Sequence, residues 1–123
     1  MQNPAATAAR SMTVTVEADV PVPMRDGTVL RADVYTPEGE GPWPVLLSRT
    51  PYGRAVPDHL MVLEPVRAAQ KGFIVVHQDT RGRGGSEGEW MPFRHEYDDG
   101  YDTIEWAARL PRANGRVGMF GGS

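Results

Sequence analysis

The decisive stretch of this sequence is Val117-Gly118-Met119-Phe120-Gly121-Gly122-Ser123. A short apolar strand that runs into Gly-x-Ser is the first half of the nucleophile elbow, Gly-x-Ser-x-Gly. Glycines are needed there because a sharp strand-to-helix turn requires unusual backbone dihedrals and leaves no room for a Cβ atom. Such a turn lifts the serine above the sheet, which makes Ser123 a candidate nucleophile. The alternative is that Gly-Gly-Ser is an ordinary flexible turn.

Upstream of this stretch, strand-like and helix-like segments follow one another. Valine alternates with polar residues over 12–20, as in a half-buried strand, and Asp26-Gly27 predicts a hairpin to a return strand over 29–35. Residues 36–44, rich in Pro, Gly and Glu, predict a surface loop. Apolar runs predict further strands over 45–48, 73–77 and 116–120. Helical spacing predicts helices over 59–71, with a C-cap at Lys71-Gly72, and over 95–110.

The order of these segments predicts an α/β fold. Two antiparallel strands come first, followed by a strand and two helix–strand pairs. Strands that alternate with helices favour a parallel sheet built through right-handed crossovers. An antiparallel hairpin that leads into such a sheet is the opening of an α/β-hydrolase fold. We therefore expect residues 12–123 to form the N-terminal part of one such domain, after a mobile tail over residues 1–11.

Composition narrows the classes of function. The formal net charge of −3 argues against a basic nucleic-acid binder and a polybasic membrane anchor. The absence of cysteine excludes disulfides, thiolate chemistry and cysteine–zinc sites. No stretch approaches the roughly 20 apolar residues of a transmembrane helix, and the N-terminus lacks the pattern of a secretory signal. We expect no nucleic-acid or membrane partner and a cytoplasmic location.

A second candidate site residue is Tyr52, in the turn Arg49-Thr50-Pro51-Tyr52-Gly53-Arg54. This turn follows the third strand, where the corresponding loop of an α/β-hydrolase supplies a donor of the oxyanion hole. A tyrosine hydroxyl can be that donor as readily as a backbone N–H. The alternative is an aromatic side chain that only packs on its neighbours.

The glycine-rich run over 81–88 is better explained as a structured loop than as a nucleotide site. Glu87 occupies the place of the third glycine in Gly-x-Gly-x-x-Gly, so a dinucleotide site is disfavoured. Two charged side chains at the start of this run, Asp79 and Arg81, can pair with each other or with nearby backbone.

The histidines and acids give no second site. None of His59, His77 and His95 lies after Ser123, where the order of an α/β-hydrolase triad puts the base. We expect His77 to be structural and His95 to be solvated, and no histidine pair has metal-ligand spacing. The simplest interpretation of three acids near the start of the second helix is a solvated face that complements the helix dipole, formed by Asp98, Asp99 and Asp102. We expect no metal and no cofactor.

Five motifs in a fixed order resemble the N-terminal part of a known family. They are Arg49-Thr-Pro-Tyr52-Gly, Gln78-Asp-Thr-Arg-Gly82, Ser86-Glu-Gly-Glu89, Asp102-Thr103-x-x-Trp106 and Gly115-x-Val-Gly-Met-Phe-Gly121-x-Ser123. Together they resemble the bacterial cocaine esterase family, acyl hydrolases grouped with X-Pro dipeptidyl-peptidases and α-amino-acid ester hydrolases. The likeness covers the chain from about residue 17 onward.

This resemblance implies roles for the two candidate residues. Ser123 would be the nucleophile, and Tyr52 would donate its hydroxyl to the oxyanion hole beside the backbone N–H of the residue after the serine. It implies a small-molecule ester or amide substrate, and a helical cap and β-sandwich in the rest of the same polypeptide. The second oxyanion donor, the acid and the base have no counterpart in these 123 residues.

Three functions therefore compete. The leading hypothesis is a serine esterase or acylase that works through an acyl-serine intermediate. An X-Pro dipeptidyl-peptidase or α-amino-acid ester hydrolase is the alternative among enzymes, and it needs an acidic group for the substrate α-amine that this stretch does not identify. The alternative from another class is a non-catalytic interaction domain or an inactive fragment.

Overall fold

The computed structural model describes residues 13–51, 64–90 and 95–120 of the chain. The predicted tail over 1–11 and the first residues of the predicted helix, 59–63, lie outside these ranges. Seven elements follow one another in the predicted order: β1 (Val14–Pro23), β2 (Val29–Pro37), β3 (Trp43–Thr50), α1 (Pro65–Gln70), β4 (Ile74–Asp79), α2 (Glu96–Ala108) and β5 (Ala113–Met119).

The strands form one five-stranded sheet in the order β1-β2-β4-β3-β5. β1 pairs with β2, and β2 with β4, in antiparallel fashion. β3 lies parallel to both β4 and β5. The connection from β3 to β4 contains α1, and the connection from β4 to β5 contains α2. The prediction of an antiparallel hairpin leading into a mostly parallel sheet is therefore confirmed.

The turn between β1 and β2 is longer than a two-residue hairpin loop. The N–H of Gly27 donates to the carbonyl of Met24 at 2.9 Å, and the N–H of Met24 donates to the carbonyl of Thr28 at 2.8 Å. Gly27 has φ +87°, a conformation that suits glycine. This is the pattern of a three-residue loop closed by a glycine in the left-handed region.

β1 contains a β-bulge between Glu17 and Val20. Asp19 within it has φ +56°, and β2 holds its backbone from both sides. The N–H of Asp19 donates to Oδ1 of Asp33, and Nη1 of Arg31 donates to the carbonyl of Asp19, each at 3.1 Å. Side chains of the neighbouring strand thus fix this irregularity.

The core lies on the inner strands. β4 is buried at all six positions because it lies between β2 and β3. The register places Val45 opposite Ile74 and Leu47 opposite Val76, which builds adjacent apolar pairs across the parallel strands. The buried hydrophobic residues that cluster with these are Val22, Met24, Leu30, Ala32, Val34 and Ala107.

Several predicted strand boundaries are wrong, because tertiary pairing extends the strands. The predicted loop over 36–44 is shorter, since β2 continues to Pro37 and β3 already begins at Trp43. β5 begins at Ala113 rather than at residue 116 because Ala113 pairs with Trp43 across an irregularity in the register. The sheet thus includes turn-forming residues such as Pro37, Pro44 and Gly115.

The helices begin and end at identifiable residues. Glu64 is the N-cap of α1, accepting from the N–H groups of Val66 and Arg67 at 3.3 and 2.8 Å, and Pro65 occupies the first turn. α1 ends at the predicted Lys71-Gly72 C-cap. Neither described helix is long and apolar enough to span a bilayer.

Candidate active site

The carboxyl ends of the three parallel strands meet at one edge of the sheet. Past the end of β5, the N–H of Phe120 donates to the carbonyl of Leu47 in β3 at 3.0 Å. Past the end of β4, the N–H of Thr80 donates to the carbonyl of Thr50 at 3.0 Å. The three segments that leave these strands therefore start next to one another, and in open α/β sheets this edge is where ligands bind.

The two predicted site residues follow directly from this edge along the chain. Tyr52 comes two residues after the end of β3, and Ser123 comes three residues after Phe120. Both lie outside the described residues, as does His59. Their roles therefore stay predictions, and what the structure describes is the framework from which each segment departs.

A polar cluster, buried except at Glu96, underlies the edge. It is formed by Arg49, Gln78, Glu96 and Thr103, and we call it the Arg49 cluster. Nε of Arg49 donates to Oε1 of Gln78 at 2.5 Å, and Nη1 donates to Oε2 of Glu96 at 2.8 Å. The hydroxyl of Thr103 donates to the same Gln78 oxygen at 3.0 Å. These contacts join β3, β4 and α2 through side chains.

The Arg49 cluster is unusual because it buries a guanidinium and an amide. The Arg49 side chain is only 5% exposed, and Gln78 is fully buried. Nη2 of Arg49 and Nε2 of Gln78 find no hydrogen-bond acceptor within the part of the chain that the structure describes. A buried donor without a partner costs free energy, so the framework holds these amide and guanidinium groups at a cost in stability.

His77 lies within β4 rather than at its end. It is buried, and its ring meets those of Tyr35 and Phe120 edge-on, with centroids 6.1 and 5.6 Å away. This packing agrees with the expected structural role. His95 is half-buried at the N-cap position of α2, and its side chain makes no capping hydrogen bond.

The glycine-rich loop is tied to the end of β4. Oδ2 of Asp79 accepts from the N–H of Gly85 at 2.9 Å, which fits the predicted pairing with nearby backbone. The Ser86 hydroxyl donates to the carbonyl of Asp79 at 2.7 Å and accepts from the N–H of Arg31 at 2.8 Å. Gly84, with φ +52°, lies so close to Asp79 that an added Cβ would collide with the carboxylate. These contacts hold the glycine-rich loop in a defined conformation against β4 and β2.

Arg81, in the same loop, pairs with α2 and with the turn between β1 and β2. Nε and Nη2 donate to the two carboxylate oxygens of Asp99 at 2.9 and 2.8 Å, a bidentate pair. Nη1 donates to Oδ2 of Asp26 at 3.0 Å and to the hydroxyl of Thr28 at 2.8 Å. The hydrogen bonds from Arg81 and from the Thr28 backbone lower the pKa of Asp26 to about 2, and the Asp99 hydrogen bonds raise the pKa of Arg81.

The prediction that the acids of α2 form a solvated face is wrong for two of the three. Asp99 is 1% exposed and lies against the fold. Asp102 is half-buried and pairs with Arg25, so it is not freely solvated either. Asp98 is the exposed member and lies 3.5 Å from Nη1 of Arg25. The buried positions of α2 are Asp99, Thr103 and Ala107, spaced four residues apart on one face, whereas Tyr97 is 89% exposed.

Arg25 forms a second bridge to α2. Its Nη2 donates to Oδ1 of Asp102 at 2.9 Å, and its backbone N–H donates to Oδ2 at 2.9 Å. The hydrogen bond from the Arg25 side chain is the main reason that the pKa of Asp102 is lowered, and it also raises the pKa of Arg25.

Among the described residues, no group of three or more histidine or acidic side chains could hold a metal ion. The side chains that converge at this edge are instead hydrogen-bonding groups: a guanidinium, an amide, a hydroxyl and carboxylates.

Sequence reasoning missed the Arg49 cluster and the Arg81–Asp99 pair. The usable signal was the i, i+4, i+8 stripe of small and polar residues in α2, formed by Asp99, Thr103 and Ala107, which the aromatic residues of that helix obscured. No local signal names Arg49 or Arg81 as their partners, since those contacts join positions far apart in sequence.

The described strands and helices are the N-terminal portion of an α/β-hydrolase domain. A solved CocE/NonD family hydrolase from Staphylococcus aureus superposes with a TM-score of 0.78 at 28% identity, covering 88% of this chain and 23% of that one. A solved α-amino acid ester hydrolase superposes with a TM-score of 0.66 at 30% identity, covering 97% of this chain and 22% of that one.

Residues 26–123 match the X-Pro dipeptidyl-peptidase (S15) family, and the chain belongs to that family. The cocaine esterase of Rhodococcus sp. (strain MB1 Bresler) is 43% identical over 112 residues, covering 87% of this chain and 19% of that protein. The resemblance inferred from the five motifs is thereby confirmed. The chain spans about a fifth of the length of these relatives.

Proposed function

We propose that this chain supplies the nucleophile and one oxyanion-hole donor of a serine hydrolase that cleaves small-molecule esters or amides, as a carboxylesterase or acylase. The observation that carries the proposal is the meeting of β3 and β5 at one edge, where the N–H of Phe120 bonds to the carbonyl of Leu47. Because Tyr52 and Ser123 leave from these neighbouring strand ends, a donor and a nucleophile can serve the same carbonyl group.

The chemistry assigns one task to each residue. The Ser123 oxygen attacks the carbonyl carbon of the substrate and gives its proton to a histidine base that lies outside these 123 residues. The carbonyl oxygen becomes an oxyanion, which accepts a hydrogen bond from the Tyr52 hydroxyl. Collapse of this intermediate expels the alcohol or amine, which takes the proton from the base. Water then attacks the acyl-serine and releases the carboxylic acid.

A fluorophosphonate probe tests the nucleophile. We expect the complete polypeptide that contains this chain to be labelled on the peptide that carries Ser123, because the probe phosphonylates activated serines with loss of fluoride. The Ser123→Ala variant is the matched control and should take up no label. Folded wild-type protein that stays unlabelled would favour the non-catalytic interaction domain instead.

The oxyanion donor is tested by Tyr52→Phe, which removes one hydroxyl. We expect kcat on p-nitrophenyl acetate to fall by about 10²–10³, the usual effect of deleting one oxyanion-hole donor. The melting temperature should stay near that of the wild type, since only the hydroxyl is lost. Wild-type kcat in this variant would remove Tyr52 from the mechanism.

A second candidate is an X-Pro dipeptidyl-peptidase or α-amino-acid ester hydrolase, favoured by the family match over residues 26–123 and by the 30% identity to an α-amino acid ester hydrolase. The two candidates differ in their need for a free substrate amine. Turnover of an alanyl-prolyl p-nitroanilide that disappears when its α-amine is acetylated would select this candidate over a simple esterase.

A further inference from the structure

We propose that Arg49 is a positioning residue that fixes the strand end from which Tyr52 departs, an inference that rests on the proposed function of Tyr52. Arg49 is the penultimate residue of β3, three positions before Tyr52. Its side chain reaches both a neighbouring strand and α2 through hydrogen bonds.

The geometry is that of a clamp with three anchors. The guanidinium is held from β4 by Gln78 at 2.5 Å and from the first turn of α2 by Glu96 at 2.8 Å. Thr103, two turns further along α2, locks the Gln78 amide by donating to the same oxygen at 3.0 Å. A planar guanidinium bound at two of its nitrogens cannot rotate freely, so the backbone at Arg49 is fixed with it.

Stability alone does not account for this clamp. Glu96 is 43% exposed, whereas the Arg49 side chain is 5% exposed, so among the described residues the cation exchanges its hydration for one half-exposed carboxylate and the neutral Gln78 oxygen. Nη2 of Arg49 and Nε2 of Gln78 have no acceptor within the described part of the chain, which adds to the cost. Buried ion pairs are often no more stable than apolar residues of the same volume. The clamp instead fixes the position of Arg49 at the end of β3.

A fixed position matters here because oxyanion stabilisation depends on distance. A donor must lie about 2.7–3.1 Å from the place where the oxyanion forms, and a displacement of about 1 Å can cost about 10²-fold in rate. Pro51 follows β3 directly and restricts the backbone, so a change in the direction of the strand end passes on to the next residues. Arg49 therefore acts through Tyr52 and makes no contact with substrate.

The test is a double-mutant cycle in the complete polypeptide, with p-nitrophenyl acetate as the substrate. Arg49→Lys keeps the charge but cannot bind Gln78 and Glu96 with a planar fork. We expect it to lower kcat by about 10- to 100-fold with little change in KM. In the Tyr52→Phe background the same substitution should lower kcat by less than about threefold, because the donor it positions is already gone.

The matched control is Arg25→Lys. Arg25 also bridges to α2, through Asp102, but it lies on the turn after β1 and is 55% exposed. Its replacement should leave kcat unchanged in both backgrounds. If Arg49→Lys does not fold, Glu96→Gln replaces it in the cycle, since Glu96 is half-exposed and loses only its charge; a smaller fall in kcat with the same dependence on Tyr52 is expected.

The outcomes separate the two proposals. A loss of kcat that is equal in the wild-type and Tyr52→Phe backgrounds, or no loss at all, overturns the positioning role of Arg49 alone. Wild-type kcat in Tyr52→Phe itself contradicts the oxyanion assignment on which the inference rests. A loss at Arg49 that shrinks in the Tyr52→Phe background, while Arg25→Lys is silent, supports the proposal.

Discussion

Two arginines attach α2 to the turn between β1 and β2, and their ion pairs differ in solvent exposure. Arg81 reaches Asp99 and Asp26, and its pair with Asp99 joins side chains that are 11% and 2% exposed. Arg25 reaches Asp102 with side chains that are 55% and 17% exposed. The two carboxylates lie within one turn of the same helix. Both pairs join an arginine to an aspartate, so we expect their difference in burial to set how much each contributes to stability.

The largest expected effect comes from breaking the buried pair. Asp99→Asn removes the charge without leaving a cavity, and it leaves the buried Arg81 guanidinium with the half-exposed Asp26 as its remaining described carboxylate. We expect a loss of about 3–5 kcal/mol in the free energy of unfolding, measured by urea denaturation of the complete polypeptide. Asp98→Asn, at an exposed position of the same turn, is the control and should be nearly neutral.

The exposed pair should respond far more weakly. Asp102→Asn breaks the contact to Arg25, but water can take over both groups. We expect a loss below about a third of that in Asp99→Asn, and it should shrink further in about 1 M NaCl, where the Debye length is about 3 Å. Equal losses in the two variants, or a salt-sensitive loss in Asp99→Asn alone, would contradict the expected difference between the buried and the exposed pair.

The smallest effect is expected in acid, at the half-exposed carboxylate that shares Arg81. The pKa of Asp26 is lowered from 3.8 to about 2 in the folded protein, so its contribution is complete above pH 4 and is lost as the pH falls towards 2. The wild type should therefore lose stability more steeply than Asp26→Asn between pH 4 and pH 2. Parallel pH profiles from thermal melts of the two proteins would contradict this assignment.

Much of the fold can be predicted because it depends on local patterns. Alternating valines predict β1, and the apolar run after Gly72 predicts β4, which is buried throughout. The Asp26-Gly27 turn predicts the hairpin between β1 and β2, although not its three-residue loop. Each of these features is encoded within about ten residues of sequence, so no tertiary contact is needed to find it.

The polar framework of the site could not be predicted, because its partners are far apart in sequence. Arg49 and Glu96 are 47 positions apart, and Arg81 and Asp26 are 55 apart. Helical periodicity identifies the face that holds Asp99 and Thr103, but two neighbouring acids of α2 look alike until the fold buries one and leaves the other near water. The Gly-x-Ser turn and the turn after β3 indicate Ser123 and Tyr52, and the family resemblance implies their roles, but none of these signals identifies what holds the strand ends in place.

The bulge in β1 has a consequence for how separate molecules meet in solution. β1 is an outer strand of the described sheet, and an outer strand with a regular backbone invites another chain to add a strand of its own. Here the ladder is interrupted at Asp19, and Pro21 and Pro23 offer no N–H to a newcomer. The side chains of Arg31 and Asp33 hold that interruption in place. We therefore expect the irregular strand to disfavour strand addition between two molecules along this side.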